Sequence, residues 1–143
     1  MSVRIITTEN FRREAKKLIK KYRSLKGELS GLAEELVEDP RKGVHIGKDV
    51  YKIRLAVKSK GRGKSGGLRI ITFVQFVIED LNSEELDVYL LSIYDKSDFA
   101  NISDNLLKHL IKEIQEEINK EELIDKEEEE NQDEEEQNDD ENE

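Results

Sequence analysis

Apolar positions along the chain change their period several times, and each change marks an element. Val3 to Thr7 is a short β-prone run. From Thr8 the spacing becomes helical: Phe11, Ala15, Leu18, Ile19, Tyr22 and Leu25 share one face, with Lys and Arg opposite. Thr8 is placed to cap this helix, without a capping box, because its third neighbour is Phe11. Gly27 is expected to interrupt it. Leu29, Leu32, Ala33, Leu36 and Val37 then describe a second amphipathic helix that must stop before Pro40. Two consecutive helices with apolar stripes predict a helical hairpin laid against another layer.

That layer is β. Tyr51 to Val57 alternates apolar with basic residues, a period of two. Leu68 to Ile78 is rich in β-branched and aromatic residues, and Leu86 to Tyr94 repeats the pattern after a turn carrying Asn82-Ser83. With no helix between them, the three runs predict an antiparallel meander. Ser103 is a good N-cap for a last helix striped by Leu106, Leu107, Leu110, Ile111, Ile114 and Ile118. The order of elements predicts an α+β domain: a small antiparallel β-sheet, an N-terminal helical hairpin packed on one face, and a C-terminal helix.

Charge changes the picture at the C-terminus. Residues 1–120 carry 23 basic and 19 acidic side chains, while residues 121–143 carry 1 and 15. A mildly basic body therefore bears an acidic tail of net charge −14, and only their sum of −10 looks acidic. Residues 127–143 contain only Asp, Glu, Asn and Gln, so they cannot bury enough apolar surface to offset ordering entropy. Residues 1–120 are expected to be one domain and residues 121–143 a disordered tail, close enough in charge terms to fold back over a basic surface.

Composition removes several chemistries. There is no cysteine, which excludes disulfides, thiolate zinc sites and thiol catalysis. The longest early apolar run is Ile5-Ile6, too short for a signal peptide, and no stretch approaches the ~18 apolar residues of a membrane span. The expected setting is soluble and cytoplasmic, with no membrane partner. His45, in a turn between Gly43 and Gly47, and His109, beside Leu110, are too far apart in sequence to suggest a metal pair, so no metal and no cofactor is expected.

The chemistry gathers in residues 41–69, which hold ten Lys or Arg against one acid, Asp49. Lys52, Arg54, Lys58 and Lys60 share a parity, so a strand running that far projects them from one face while Ile53, Leu55 and Val57 point to the core. A hairpin brings Arg69 beside Lys52 and Arg54, an anion site suited to a polyphosphate backbone. Tyr94 is expected beside Arg54 and Arg69, followed by Lys96. Gly63-Lys64-Ser65 ends like a phosphate-binding loop, but Lys58 stands where that motif needs glycine and no helix follows. The Ser59–Gly67 stretch reads better as a flexible hairpin loop whose Arg62, Lys64 and Ser65, with Lys58 and Lys60, are candidate contacts to a nucleic acid.

Three blocks carry a resemblance: Tyr51-Lys52-Ile53-Arg54, then Gly61 to Ile71 (GRGKSGGLRII), then Tyr89 to Lys96 (YLLSIYDK) with Asn101-Ile102-Ser103. Together they resemble RelE/HigB-type toxins of bacterial type II toxin–antitoxin modules, over roughly residues 3–115. The acidic tail is not part of that pattern. The resemblance implies a RelE-like fold and metal-independent, ribosome-dependent cleavage of mRNA. The 2′-hydroxyl attacks the adjacent phosphate, leaving a 2′,3′-cyclic phosphate and a free 5′-hydroxyl. It implies a cognate antitoxin, the ribosome and mRNA as partners. Arg54 and Arg69 match positions that stabilise the phosphorane. The best-studied branch carries lysine, a candidate base, where this chain has Arg54, which leaves Lys52 or Tyr94 as substitutes. Lys96 matches an arginine there and is the candidate acid. Ile102 replaces a tyrosine, which makes Tyr94 the candidate stacking ring. A binding-only relative with the same basic groove is the alternative.

Overall fold

The computed structural model describes residues 2–61, 67–80 and 83–121. It divides into two compact units, residues 1–103 and 104–143. In the first, the chain runs β1 (Ser2–Thr7), α1 (Glu9–Lys21), α2 (Leu25–Glu38), β2 (Val44–Gly47), β3 (Val50–Leu55), β4 (Leu68–Asp80) and β5 (Ser83–Asp95). These make an α+β unit with a five-stranded mixed sheet in the order β1-β5-β4-β3-β2. The second contains α3, residues 104–121, which starts directly after Ser103 as the expected cap requires. Within it His109 faces Glu113 at 2.8 Å, one helical turn on. Among the described residues, no helix is long and apolar enough to cross a membrane.

The meander of β3, β4 and β5 is antiparallel as the sequence predicts, but the sheet as a whole is mixed. β1 joins the outer edge of β5 in parallel, with Arg4 opposite Asp87 and Ile5 opposite Val88. The Arg4 guanidinium reaches the buried Asp87 carboxylate at 3.1 and 2.9 Å, a two-point bond that pins this register. A run of six residues signals a strand but not a partner about 83 positions away, so the local pattern did not reveal the parallel pairing.

Three other expectations change. The helical hairpin breaks at Tyr22–Ser24, not at Gly27, which lies within α2. Tyr22 leaves helical geometry at φ −117°, ψ 106°, and its hydroxyl donates to the buried Asp95 carboxylate. That tertiary bond, rather than glycine, ends α1. His45 sits in a strand, not a turn: β2 is an extra edge strand in which His45 pairs with Tyr51, their rings 5.2 Å apart. Gly43 at φ 106° permits it, because a Cβ there would meet Lys52 O at 2.4 Å. Finally, β3 ends at Leu55, and Lys58–Lys60 forms a 3₁₀ turn. Lys58 and Lys60 therefore leave the parity of Lys52 and Arg54.

The core lies between one sheet face and the hairpin. Phe11 and Ala15 of α1 and Leu25, Leu32 and Leu36 of α2 pack with Ile53, Leu68, Ile70, Val88 and Ile93 of the sheet. Thr8 caps α1 by accepting the Phe11 amide at 3.1 Å and donates its own hydroxyl to Leu90 O at 2.9 Å, so one side chain ties the helix start to β5. By alternation, the residues between these core positions face away from the helices, and the candidate chemistry falls there.

Candidate functional site

Arg54 on β3 stands directly opposite Arg69 on β4, and Arg69 directly opposite Tyr94 on β5. The three form one row across the centre of the sheet, on the face opposite α1 and α2. The sequence brought these residues together by parity alone, and the register places them in line. In the neighbouring row, Lys52 is opposite Ile71, and its ammonium donates to Asn101 Oδ1 at 3.2 Å. Lys52 therefore flanks the row and is fixed by the loop after β5.

The row grades from solvent to interior: Arg54 is exposed, whereas Arg69 is 3% and Tyr94 6% exposed. Burial, and then the positive charge of Arg54, push the Arg69 guanidinium below its ordinary range, while Tyr94 acts in the opposite sense. It remains charged at any physiological pH. Like charges directly opposite on adjacent strands destabilise a sheet. An arrangement kept at that cost is well suited to an anion set between the two guanidiniums, which would remove the repulsion and accept two-point hydrogen bonds.

Tyr94 is held in its protonated form. Burial pushes its hydroxyl up, outweighing the opposing effects of the Ile102 amide and Arg69. Among the described residues the hydroxyl has no hydrogen bond of good geometry, the Ile102 N–H being the donor that faces it. It is a donor in want of an acceptor beside the Arg69 guanidinium. Burial also removes its ring from the surface, so Tyr94 is poorly placed for the stacking role the sequence assigned it.

The other expected residues separate from the row. Lys60 turns instead to the helix-covered face at the end of β5, where its ammonium pairs with the Asp95 carboxylate beside the Tyr22 hydroxyl. Lys58 is exposed, and its amide donates to Glu28 Oε1 at 2.7 Å. Lys96 is exposed at the turn that follows β5. Arg62, Lys64 and Ser65 lie outside the described residues, as does the acidic tail beyond residue 121. Among the described residues, Lys52, Arg54, Arg69 and Tyr94 lie together on neighbouring positions of the sheet.

Two features escaped the sequence reading. Asp95 is buried and gathers Lys60, the Tyr22 hydroxyl, and Ser97 through its amide at 2.9 Å and hydroxyl at 2.7 Å. Burial alone would raise this carboxyl, but the bonds from Lys60, Tyr22 and Ser97 hold it well below the usual carboxylate range. The network anchors the end of β5 one residue past Tyr94. Phe99, 63% exposed, is an aromatic side chain in the polar loop between Lys96 and Asn101 and offers the open ring that Tyr94 does not. Its signal was a lone aromatic in a stretch otherwise of Asp, Lys, Ser, Ala and Asn.

Among the described residues no group of three or more His, Asp or Glu side chains is arranged to hold a metal ion. No family model matches the chain, and neither a curated protein nor a solved structure does. The row of Arg54, Arg69 and Tyr94 therefore stands on its own geometry.

Proposed function

We propose that this chain is an endoribonuclease of the RelE/HigB type, with a RelE-like fold, acting as the toxin of a type II toxin–antitoxin module. It cleaves translated mRNA on the ribosome and is neutralised by a cognate antitoxin. The observation that carries this reading is the single row of Arg54, Arg69 and Tyr94, formed by residues from all three resemblance-bearing blocks.

The row suits phosphodiester cleavage by the neighbouring 2′-hydroxyl. Arg54 and Arg69 grip the non-bridging oxygens and stabilise charge that grows in the phosphorane. Tyr94, protonated at neutral pH, donates to a phosphate oxygen and is not the base. Of the candidates for that role, Lys52 is left. Lys96, exposed at the end of β5, is the candidate proton donor to the leaving 5′-oxygen. In that role Lys52 reacts as the neutral amine: it takes the 2′-hydroxyl proton as the 2′-oxygen bonds to phosphorus, and the bond from phosphorus to the 5′-oxygen breaks as that oxygen gains a proton from the Lys96 ammonium. A 2′,3′-cyclic phosphate and a 5′-hydroxyl result.

A second reading has its own support. Arg54, Arg69 and Tyr94 supply cations and a phenol but no carboxylate or imidazole, a composition that binds phosphate without needing to turn it over. Primer extension on a translated reporter mRNA, with and without ribosomes and with Arg69→Ala, separates the two. Discrete cuts that require ribosomes and vanish in Arg69→Ala support the toxin reading. Ribosome binding with no cuts supports the binding-only relative, and cuts unaffected by Arg69→Ala place the chemistry elsewhere.

A further inference from the structure

On the other side of the sheet, α1 and α2 barely touch. Between them opens a groove of about 690 Å³ floored by Ile5 of β1 and Leu90 of β5 and walled by Ile19, Leu29 and Ala33. Ile5, Ile19, Leu29 and Ala33 are only half-buried, so the apolar stripe of the hairpin is incompletely covered. The rim carries Arg12, Lys16 and Lys20 from α1 and Lys26 from α2, with no carboxylate in the lining. Arg12 also holds the end of β1 through Thr7. Lys16, Lys20 and Lys26 are exposed and form no ion pair among the described residues.

The geometry points to this groove as the docking site for an amphipathic helix with acidic flanks, supplied by a partner protein. Charge and spacing select that occupant. Arg12, Lys16 and Lys20 recur every four residues, about 6 Å apart along α1. A second helix presents carboxylates at the same pitch beside an apolar stripe that fills the groove. The acidic tail of the chain matches the charge but not the floor: beyond Lys126 it has no apolar residue. The groove and the Arg54–Arg69 row lie on opposite sheet faces, and the inference does not depend on the ribonuclease reading.

The test is fluorescence anisotropy of the full chain with designed helical peptides of about 18 residues, long enough to hold a helix when bound. One peptide carries a Leu/Ile stripe flanked by Glu, and the other carries the same stripe flanked by Lys. Saturable one-to-one binding of the Glu peptide, at least tenfold tighter than the Lys peptide, is expected. Lys16→Glu with Lys20→Glu should reverse the preference. Arg13→Glu with Lys17→Glu, an equal charge change on other positions of α1, should leave it standing, as should Arg69→Ala. Because all four replaced side chains of α1 are exposed, folding is not at stake. The proposal is overturned if the Glu peptide does not saturate, or if both charge-reversed variants behave alike. It is also overturned if self-association of the chain competes with the peptide, or if removing residues 122–143 tightens peptide binding, since the groove would then belong to a second copy or to the tail.

Discussion

Replacing Asp95 by Asn tests whether the end of β5 is held by charge. The Asp95 side chain is fully buried and that of Lys60 only 10% exposed, so the pair is shielded from solvent on both sides. Asn keeps the shape and one acceptor but leaves the Lys60 ammonium buried without its counter-charge, and the Tyr22 hydroxyl and Ser97 amide with a weaker partner. Stranding one member of a buried ion pair costs about 3–5 kcal/mol, a large fraction of the ~5–15 kcal/mol available to a domain. The expected readout is a urea midpoint shifted without change of slope and a melting temperature lower by about 10 °C. Combining Asp95→Asn with Lys60→Met, which removes the stranded charge, should recover at least ~2 kcal/mol of that loss. The reasoning is refuted if Asp95→Asn costs less than ~1 kcal/mol, or if the double variant loses the full sum of the two single losses.

Three further outcomes follow from the same groups. The Asp95 carboxyl lies below its ordinary range in the folded chain, so its stabilisation is present above about pH 4 and fades as the pH falls further. Glu14, half-buried against Ser92, is pushed up by burial, so it costs stability at neutral pH and that cost is relieved on acidification; unfolding free energies between pH 7 and 2 should fall more steeply in wild type than in Asp95→Asn. Arg54→Gln relieves the repulsion across the strands and should raise stability by about 0.5–1 kcal/mol in chemical denaturation while weakening RNA binding, and a destabilised variant would contradict the anion-site reading. Tyr94→Phe deletes a buried hydroxyl that lacks a good acceptor, so thermal melting should be unchanged or higher, with the loss confined to RNA affinity or cleavage.

The elements whose own residues carried their period were legible: α1, the bulk of α2, the three-stranded meander and α3. So was the row, because strand parity and one hairpin suffice to bring Arg54 and Arg69 face to face. What the sequence concealed depends on contacts between distant positions. β1 finds β5 through Arg4 and Asp87, and α1 ends where Tyr22 reaches Asp95. Lys60 looked like one more cation of a basic strand, but the chain turns at Lys58 and delivers it to a buried carboxylate. Parity arguments hold only while the strand continues, and nothing local to residues 56–60 says that it stops at Leu55.

The central claim is that Arg54 and Arg69 act together on one phosphate. It is tested most directly by equilibrium binding of a short RNA, made uncleavable by 2′-deoxy substitution, to wild type, Arg54→Ala, Arg69→Ala and the double variant over a range of salt. The account predicts that each single change loses about tenfold or more in affinity, and that the double loses clearly less than the product of the two because both contacts serve one group. It also predicts a shallower salt dependence in each variant than in wild type. Affinities untouched by either change, or two losses that multiply in full, would contradict it.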